Sequence, residues 1–347
     1  MGALFSQEEE NIFKFEIQDT GKKLEGREDV EPEIAKLLEQ HENLTEVTLS
    51  GNSYGVEACA AIGDTLKGCG NLEIANFGDL FTGRLREEVV NSMTRISSGL
   101  MQCSKLQVLS LRDNAFGPDG VNSFSELLEN CVSLKELEVT NCGLGPRGGE
   151  LIANSLMKCE NLKLEVFSAG RDRLEDPGIT ALSSAFQKMR SLRKISVPQN
   201  GIKTQGIVAL FNSLANNELM QMIDVNDNVV NEEEAHSAVA ACVQKLNYLC
   251  SLNLGDTLLG DEGATAVLES LLGTNPHIRQ LTLSYNDLED SQILDRVSEL
   301  LKERSDLEFV DLKGNEFASG SINKLSEIAS DLDREVELLL QSDDEED

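Results

Sequence analysis

One motif returns along most of the chain at an almost constant interval. Its polar position falls in successive steps of 28, 30, 28, 28, 29, 29 and 29 residues. A fixed period of this length indicates stacked units, each packing on its neighbours. The segments that carry the motif are "LTEVTLSGNSYG", "LQVLSLRDNAFG", "LKELEVTNCGLG", "LRKISVPQNGIK", "MQMIDVNDNVVN", "LCSLNLGDTLLG", "IRQLTLSYNDLE" and "LEFVDLKGNEFA". The stepped positions are Asn114, Cys142, Asp172, Asn200, Asn228, Thr257, Asn286 and Asn315.

The motif reads L-x-x-L-x-L-x-x-N/C-x-L, which is the leucine-rich-repeat pattern. Between the motifs, stretches such as "GIVALFNSLANN" and "GATAVLESLLGT" place apolar residues at helical spacing. We therefore predict an α/β solenoid of about ten or eleven repeats, with parallel strands on the concave face and helices on the convex face. Residues 1–40 are predicted to form an N-terminal cap, residues 41–325 the repeats, and residues 326–347 a C-terminal cap with a short acidic tail.

The recurring polar and cysteine positions have a structural explanation. An Asn side chain can pair the backbone N–H and C=O groups that each strand-end turn leaves buried, so the asparagines are predicted to stack as a ladder. Four cysteines each precede a strand-entry leucine by three residues, and Met or Leu takes their place in later repeats. This interchange favours a buried apolar position over a ligand role. The two sets are Asn52, Asn114, Asn200, Asn228, Asn286 and Asn315, and Cys69, Cys103, Cys131 and Cys159.

Composition narrows the classes of partner. With 61 acidic and 30 basic residues the formal net charge is -31, which disfavours nucleic acid and anionic lipid and favours a basic protein partner. No CxxC or HExxH motif is present, and we expect the three histidines (His41, His236 and His277) to be exposed, with no catalytic role. Without a signal peptide or a long apolar run, a cytoplasmic, monomeric protein is expected. "MGALFS" fits N-myristoylation, but its acidic flank predicts no stable membrane attachment.

The regular period breaks once. From Asn52 to Asn114 is 62 residues, so the repeat containing "NFGDLFTGRLREE" is longer by about four residues. Insertions of this kind project from the edge of a repeat array and often carry function. Arg84 lies at its end, and spacing alone leaves two interpretations open: a working residue, or a loop arginine that neutralises Asp79, Glu87 or Glu88.

The blocks "LSGNSYGVEA", "LEIANFGDLFTGR", "LRDNAFGPDG", "NCGLGPRGG", "GRDRLED" and "PQNGIKTQGI" together resemble the GTPase-activating proteins of the small GTPase Ran. The resemblance runs in register from about residue 45 to about residue 320, and "DLFTGR" is its most specific block. It implies an accelerator of Ran's GTP hydrolysis in nucleocytoplasmic transport, which keeps cytosolic Ran in its GDP form. The GTP and Mg²⁺ are then held by the GTPase, and this chain has no cofactor of its own.

The resemblance also assigns residues. It implies that Arg84 and Asn141 are the catalytic residues of the activator, acting by ordering Ran's own glutamine and not by inserting an arginine finger. Whether Asn141 or a neighbour such as Cys142 acts on that glutamine stays open. The family blocks place five residues in contact with Ran-GTP, and allow a Ran-binding protein in the same complex: Asp79, Arg112, Asp113, Arg171 and Arg173.

Two other functions are kept beside this one. The first is a non-catalytic scaffold or inhibitor that binds a basic protein through the acidic concave face, and the second, which the three histidines support poorly, is a hydrolase. We expect Arg84→Ala to lose most activity without unfolding the chain, because a residue on the edge of the array contributes little to its core.

Overall fold

The computed structural model describes residues 13–17, 21–273 and 277–340. Within them, one parallel sheet of twelve strands runs the length of the molecule, and every neighbour in the sheet is the next of these strands along the chain. A second, two-stranded ribbon pairs β2 (Lys23–Leu24) with β4 (Ser53–Tyr54). The strands of the long sheet are β1 (Phe13–Ile17), β3 (Leu44–Leu49), β5 (Ile74–Asn76), β6 (Val108–Ser110), β7 (Glu136–Glu138), β8 (Val166–Ser168), β9 (Lys194–Ser196), β10 (Met222–Asp224), β11 (Ser251–Asn253), β12 (Gln280–Thr282), β13 (Phe309–Asp311) and β14 (Glu337–Leu339).

A layer of helices returns the chain from each strand to the next. Neighbouring helices pack about 8–10 Å apart whereas neighbouring strands lie about 4.8 Å apart, so the array bends with the sheet on its inner side. This confirms the predicted α/β leucine-rich-repeat solenoid. The helices are α1 (Arg27–Gln40), α2 (Val56–Leu66), α3 (Arg86–Leu100), α4 (Gly117–Gly120), α5 (Ser125–Asn130), α6 (Gly145–Lys158), α7 (Glu175–Met189), α8 (Thr204–Leu214), α9 (Glu233–Val243), α10 (Gly260–Gly273), α11 (Ser291–Glu303) and α12 (Ser319–Ser330).

The core lies between these two layers and is mainly aliphatic. Alternate strand residues such as Leu109, Leu137 and Ile195 are fully buried, as the period-2 pattern of a strand requires. The four cysteines predicted to be core residues are buried, and burial raises the pKa of each thiol above its ordinary value. They are packing residues.

The asparagine ladder is present, and Asn200 shows how it works. Its Nδ2 donates to the carbonyls of Ala169 (2.6 Å) and Val197 (3.0 Å), while its Oδ1 accepts from the N–H groups of Asp172 (3.1 Å) and Leu174 (3.2 Å). One amide therefore satisfies buried backbone groups of two adjacent turns, which is the role predicted from sequence.

Asp172 occupies a ladder position with a carboxyl group. Its Oδ1 accepts from the backbone N–H of Cys142 (2.8 Å), but its Oδ2 is buried without a hydrogen-bond partner among the described residues. Burial raises the pKa of this carboxyl to about 7, although neighbouring backbone N–H groups lower it in part. A carboxylate cannot donate to carbonyls as the Asn200 amide does. The Asp172 side chain can therefore donate a hydrogen bond at this ladder position only when it is protonated.

Both ends of the sheet are formed by the regions predicted as caps. β1 pairs with β3 in parallel, and β14 pairs with β13 in the same way. The N-terminal "MGALFS" segment and the acidic tail "QSDDEED" lie outside the described residues. None of the helices that the structure describes is both long enough and apolar enough to cross a bilayer.

Candidate functional site

In ten strand-end turns the residue immediately before the ladder position adopts the left-handed backbone conformation. Its N–H donates to a backbone carbonyl of the following repeat, for example from Asn141 to Gly170 (2.8 Å). We call this line of residues the turn row. It consists of Gly51, Asp79, Asp113, Asn141, Arg171, Gln199, Asp227, Asp256, Tyr285 and Gly314, with φ between 50° and 72°.

The turn row brings predicted site residues together. Asp79, Asp113, Asn141 and Arg171 occupy four consecutive repeats, whose strands are about 4.8 Å apart. Asn and Asp tolerate the left-handed conformation, while for most residues it costs about 1 kcal/mol or more. Their side chains leave the array at one edge, so a single partner surface can touch all four.

Asp113 links two of the predicted residues. Its Oδ2 accepts from Nη1 of Arg112 (2.9 Å), and its Oδ1 accepts from Nδ2 of Asn141 (2.9 Å). The ion pair holds the carboxylate, and the carboxylate in turn orients the Asn141 amide. Because Asn141 is exposed, its amide oxygen can accept a hydrogen bond from a partner.

Arg171 and Arg173 stand on either side of the buried Asp172. Both are exposed, and they line an open groove of about 600 Å³ that continues to Asp227, Asp256 and Leu258. The groove is basic at the Arg171 end and acidic at the Asp256 end. Such a surface suits a protein partner of mixed charge better than a small ligand.

The long repeat departs from the ladder. Leu80 stands at the ladder position, where the other repeats carry Asn, Cys, Asp or Thr, and its buried side chain cannot donate or accept. Its backbone N–H donates to Oδ1 of Asn114 (2.8 Å), and its carbonyl accepts from the N–H of Tyr54 (2.9 Å). The extra chain then turns at Gly83, whose φ of 76° favours glycine.

The Arg84 side chain does not extend from the edge of the array with a free guanidinium, so the prediction that Arg84 is an edge residue is wrong. Its side chain is only 5% exposed. Nε donates to Oγ of Ser53 (2.8 Å), Nη2 to the Ser53 carbonyl (2.7 Å), and Nη1 to the Glu25 carboxylate. We call this set of contacts the Arg84 clamp. It pins the inserted loop to the preceding repeat.

The proposed neutralisation of nearby acids by Arg84 is also wrong. Asp79 accepts from the Thr82 hydroxyl, and Glu88 accepts from the N–H of Leu85 (2.9 Å), so two local acids already have partners. Glu25, which pairs with Arg84, is 59 residues away in sequence. No local pattern in the sequence identifies such a partner.

The histidines differ from the prediction as well. His236 is buried in α9, where its Nε2 lies 2.8 Å from the Val230 carbonyl, and His41 is half-buried. An imidazole can satisfy a buried carbonyl while packing on apolar neighbours, so the expectation of exposure is wrong for His236. Within residues 13–17, 21–273 and 277–340, no three His, Cys, Asp or Glu residues are grouped as a metal site.

The concave face carries partly buried carboxylates. Burial, together with repulsion from Glu138, raises the pKa of Glu136, and Lys194 offsets part of this. Burial also raises the pKa of Asp224, whose carboxylate accepts from the hydroxyl of Ser196 (2.9 Å). The face is therefore acidic but internally hydrogen-bonded.

The family model described as "Leucine Rich repeat" matches residues 102–125, 130–153 and 274–291. These matches agree with the leucine-rich-repeat fold of the structure. A solved structure of the Rad7 and Elc1 complex in yeast aligns with 86% of this chain and 74% of its own, at a TM-score of 0.51 and 13% identity, which supports the fold alone.

The similarity to Ran GTPase-activating proteins is confirmed by curated relatives of that name. Ran GTPase-activating protein 1 of Xenopus laevis is 40% identical over 205 residues, which are 55% of this chain and 35% of that protein. Ran GTPase-activating protein 1 of Saccharomyces cerevisiae is 29% identical over 300 residues, covering 82% of this chain and 73% of the relative. The chain spans about a third of the length of the Xenopus relative.

Proposed function

We propose that this protein binds the GTP form of a Ran-type GTPase in the cytoplasm and accelerates its GTP hydrolysis. Two observations support this proposal. The Arg84 clamp holds the "DLFTGR" loop beside the turn row. Two curated relatives of the chain are named Ran GTPase-activating protein 1. The GTPase supplies the nucleotide and its Mg²⁺. A Ran-binding protein can join the same complex.

The chemistry requires little covalent work from an activator. Water attacks the γ-phosphate in line, and the rate depends on a positioned water and on stabilisation of developing charge. Three donors of Arg84 are already engaged by Ser53 and Glu25, so inserting this guanidinium as a finger would break three hydrogen bonds. This supports activation through ordering of the GTPase's own catalytic groups.

Asn141 is the residue we propose to act on the GTPase's glutamine. It is exposed, and Asp113 orients its amide while Arg112 holds Asp113. An amide fixed in this way can hydrogen-bond a partner amide without first losing side-chain freedom. Asp79, Arg171 and Arg173 are then proposed as flanking contacts to the same partner.

Single-turnover hydrolysis by Ran-GTP tests the activator function. Adding this protein at a tenth of the GTPase concentration is expected to convert all the GTP at an accelerated rate, because each molecule is released and used again. Binding without acceleration would favour the alternative, a leucine-rich-repeat scaffold or inhibitor for a basic protein partner, which the net charge of -31 supports.

A second experiment separates an ordering role from a finger. Glu25→Gln and Ser53→Ala weaken the Arg84 clamp but keep the guanidinium. If the clamp orders the loop, both variants lose activity in the same direction as Arg84→Ala. If Arg84 enters the GTPase as a finger, releasing it leaves the activity unchanged or raises it, and the ordering mechanism is rejected. Glu39→Gln, an exposed acid on α1, is the control for charge loss alone.

A further inference from the structure

Leu85 is the most exposed large hydrophobic side chain in the part of the chain that the structure describes, with 74% of its surface accessible. It directly follows Arg84 in the inserted loop. A single exposed leucine is ordinary on a protein surface, so exposure alone decides nothing. The position of Leu85 at the start of α3 makes the exposure informative.

Leu85 is the N-cap residue of α3. This position strongly prefers Ser, Thr, Asp or Asn, whose side chains accept from the first free N–H groups of the helix. A leucine cannot accept, and the Leu85 side chain makes no capping hydrogen bond. The residue therefore gains neither burial nor capping in the isolated protein. Positions that break a local rule without a structural gain are expected at functional sites.

The backbone around Leu85 is nevertheless fixed. On one side the Arg84 clamp holds the preceding residue, and on the other the Glu88 carboxylate accepts from the Leu85 N–H (2.9 Å). The Leu85 carbonyl also accepts from the N–H of Val89 (3.0 Å), which starts the helix. An apolar side chain on a fixed backbone is a preorganised contact, because binding orders little more than its own rotamer.

Charged groups surround this apolar contact. Arg86 pairs with Asp119 (3.6 Å) beside the turn of the next repeat, and Asp79 of the turn row lies in the same inserted loop. An apolar centre with a charged border is the usual anatomy of a protein–protein contact. We propose that Leu85 is an apolar anchor that inserts into a hydrophobic depression on the same GTPase, an inference that rests on the proposed function.

The proposal explains Arg84 in a second way. By locking the loop to Ser53 and Glu25, the Arg84 clamp holds Leu85 outward at a fixed distance from the turn row. Loss of the clamp is then expected to raise KM for the GTPase through Leu85, in addition to any effect on the rate through Asn141.

Leu85→Ser is the sharpest test, because serine is a preferred N-cap residue and is expected to keep α3 folded. Hydrolysis is measured with Ran-GTP as the varied substrate, together with the Kd for Ran loaded with a non-hydrolysable GTP analogue. We expect KM and Kd to rise about tenfold or more, which corresponds to losing the burial of one leucine side chain in the complex. The kcat stays within about twofold and Tm is unchanged or higher.

Val132→Ser is the matched control, since Val132 is 59% exposed but lies in the loop between α5 and β7. It is expected to leave KM and Kd unchanged, and Leu85→Met is expected to restore most of the affinity. Wild-type KM and Kd in Leu85→Ser would overturn the anchor, as would an equal loss in Val132→Ser. Binding without acceleration by the wild type rejects the proposed function while Kd still tests Leu85. If the wild type neither binds the GTPase nor accelerates hydrolysis, the proposed function and the Leu85 anchor are both rejected.

Discussion

The turn after β9 and the turn after β5 pair buried backbone groups by different means. After β9, the Asn200 side chain bonds two carbonyls and two N–H groups of neighbouring turns. After β5, Leu80 cannot do this, so its carbonyl accepts from Tyr54 and the Arg84 guanidinium bonds the Ser53 carbonyl. The Arg84 side chain, which lies outside the motif, adds a contact to the preceding repeat that no ladder asparagine makes, and this contact anchors the inserted loop.

The difference separates structural residues from candidate functional ones. Ladder asparagines such as Asn114 and Asn200 are buried and bond backbone groups of two adjacent turns, and their loss is expected to cost stability. Residues of the inserted loop and the turn row reach solvent on a fixed backbone, and their loss is expected to cost activity. Arg84 belongs to both groups, since it is buried like a ladder residue but holds the loop.

Asn114→Ala is expected to give the largest effect. Its Nδ2 donates to the carbonyls of Phe77 (2.8 Å) and Leu111 (2.8 Å), and its Oδ1 accepts from Leu80 (2.8 Å). Each buried group left unpaired costs roughly 1–3 kcal/mol, so the free energy of unfolding should fall by roughly 5 kcal/mol. Urea unfolding measures this, with Asn122→Ala, an exposed asparagine, as a control that stays within about 0.5 kcal/mol. Equal losses in the two variants would mean that the ladder contributes no special stability.

Asp172→Asn is expected to stabilise the chain, and more at high pH than at low pH. The pKa of the folded Asp172 carboxyl is raised from 3.8 to about 7, so the folded state holds its proton more tightly than the unfolded state does. The contribution of this carboxyl to the free energy of unfolding is fully present below about pH 4. It is lost progressively as the pH rises through 7, and the total loss is about 4 kcal/mol. An amide restores the donor and removes this loss.

Urea unfolding of both proteins at pH 5 and pH 8.5 checks the prediction for Asp172. The variant should gain more at pH 8.5 than at pH 5, because the wild type is mainly protonated at the lower value. An equal gain at both values would show that packing and not ionisation distinguishes the two side chains.

Arg84→Ala should lose stability as well as activity, because the structure places its side chain in the interior. Removing the donors to Ser53 and the ion pair with Glu25 is expected to lower the free energy of unfolding by about 2–3 kcal/mol. Hydrogen exchange should quicken first at the N–H of Tyr54, which bonds the inserted loop. If Arg84→Ala lost activity while its free energy of unfolding and its hydrogen-exchange rates stayed unchanged, Arg84 would act in function alone and not in holding the loop.

Most of the fold could be predicted from sequence because its determinants are local and repeated. The alternating leucines, the Asn ladder and the buried cysteines each follow from one repeat read against the next. The Arg84 clamp could not be predicted, since Glu25 and Ser53 lie 59 and 31 residues away and outside any shared motif position. His236 was missed for a similar reason: its partner is the Val230 carbonyl, and a backbone group leaves no mark in the sequence pattern.

Asn141→Ala is expected to have the smallest effect on stability and the most selective effect on function. Asn141 is exposed with a φ of 59°, so alanine introduces a backbone cost of about 1 kcal/mol, which Asn141→Gly avoids while removing the same amide. In Asn141→Gly the catalytic rate should fall about tenfold while Kd for the GTPase changes less than threefold, because the amide is proposed to act on the reacting complex. Stopped-flow hydrolysis and equilibrium binding separate the two quantities. Equal losses of rate and affinity would reduce Asn141 to an interface residue, and unchanged values in the glycine variant would move the ordering role to a neighbour on the turn row.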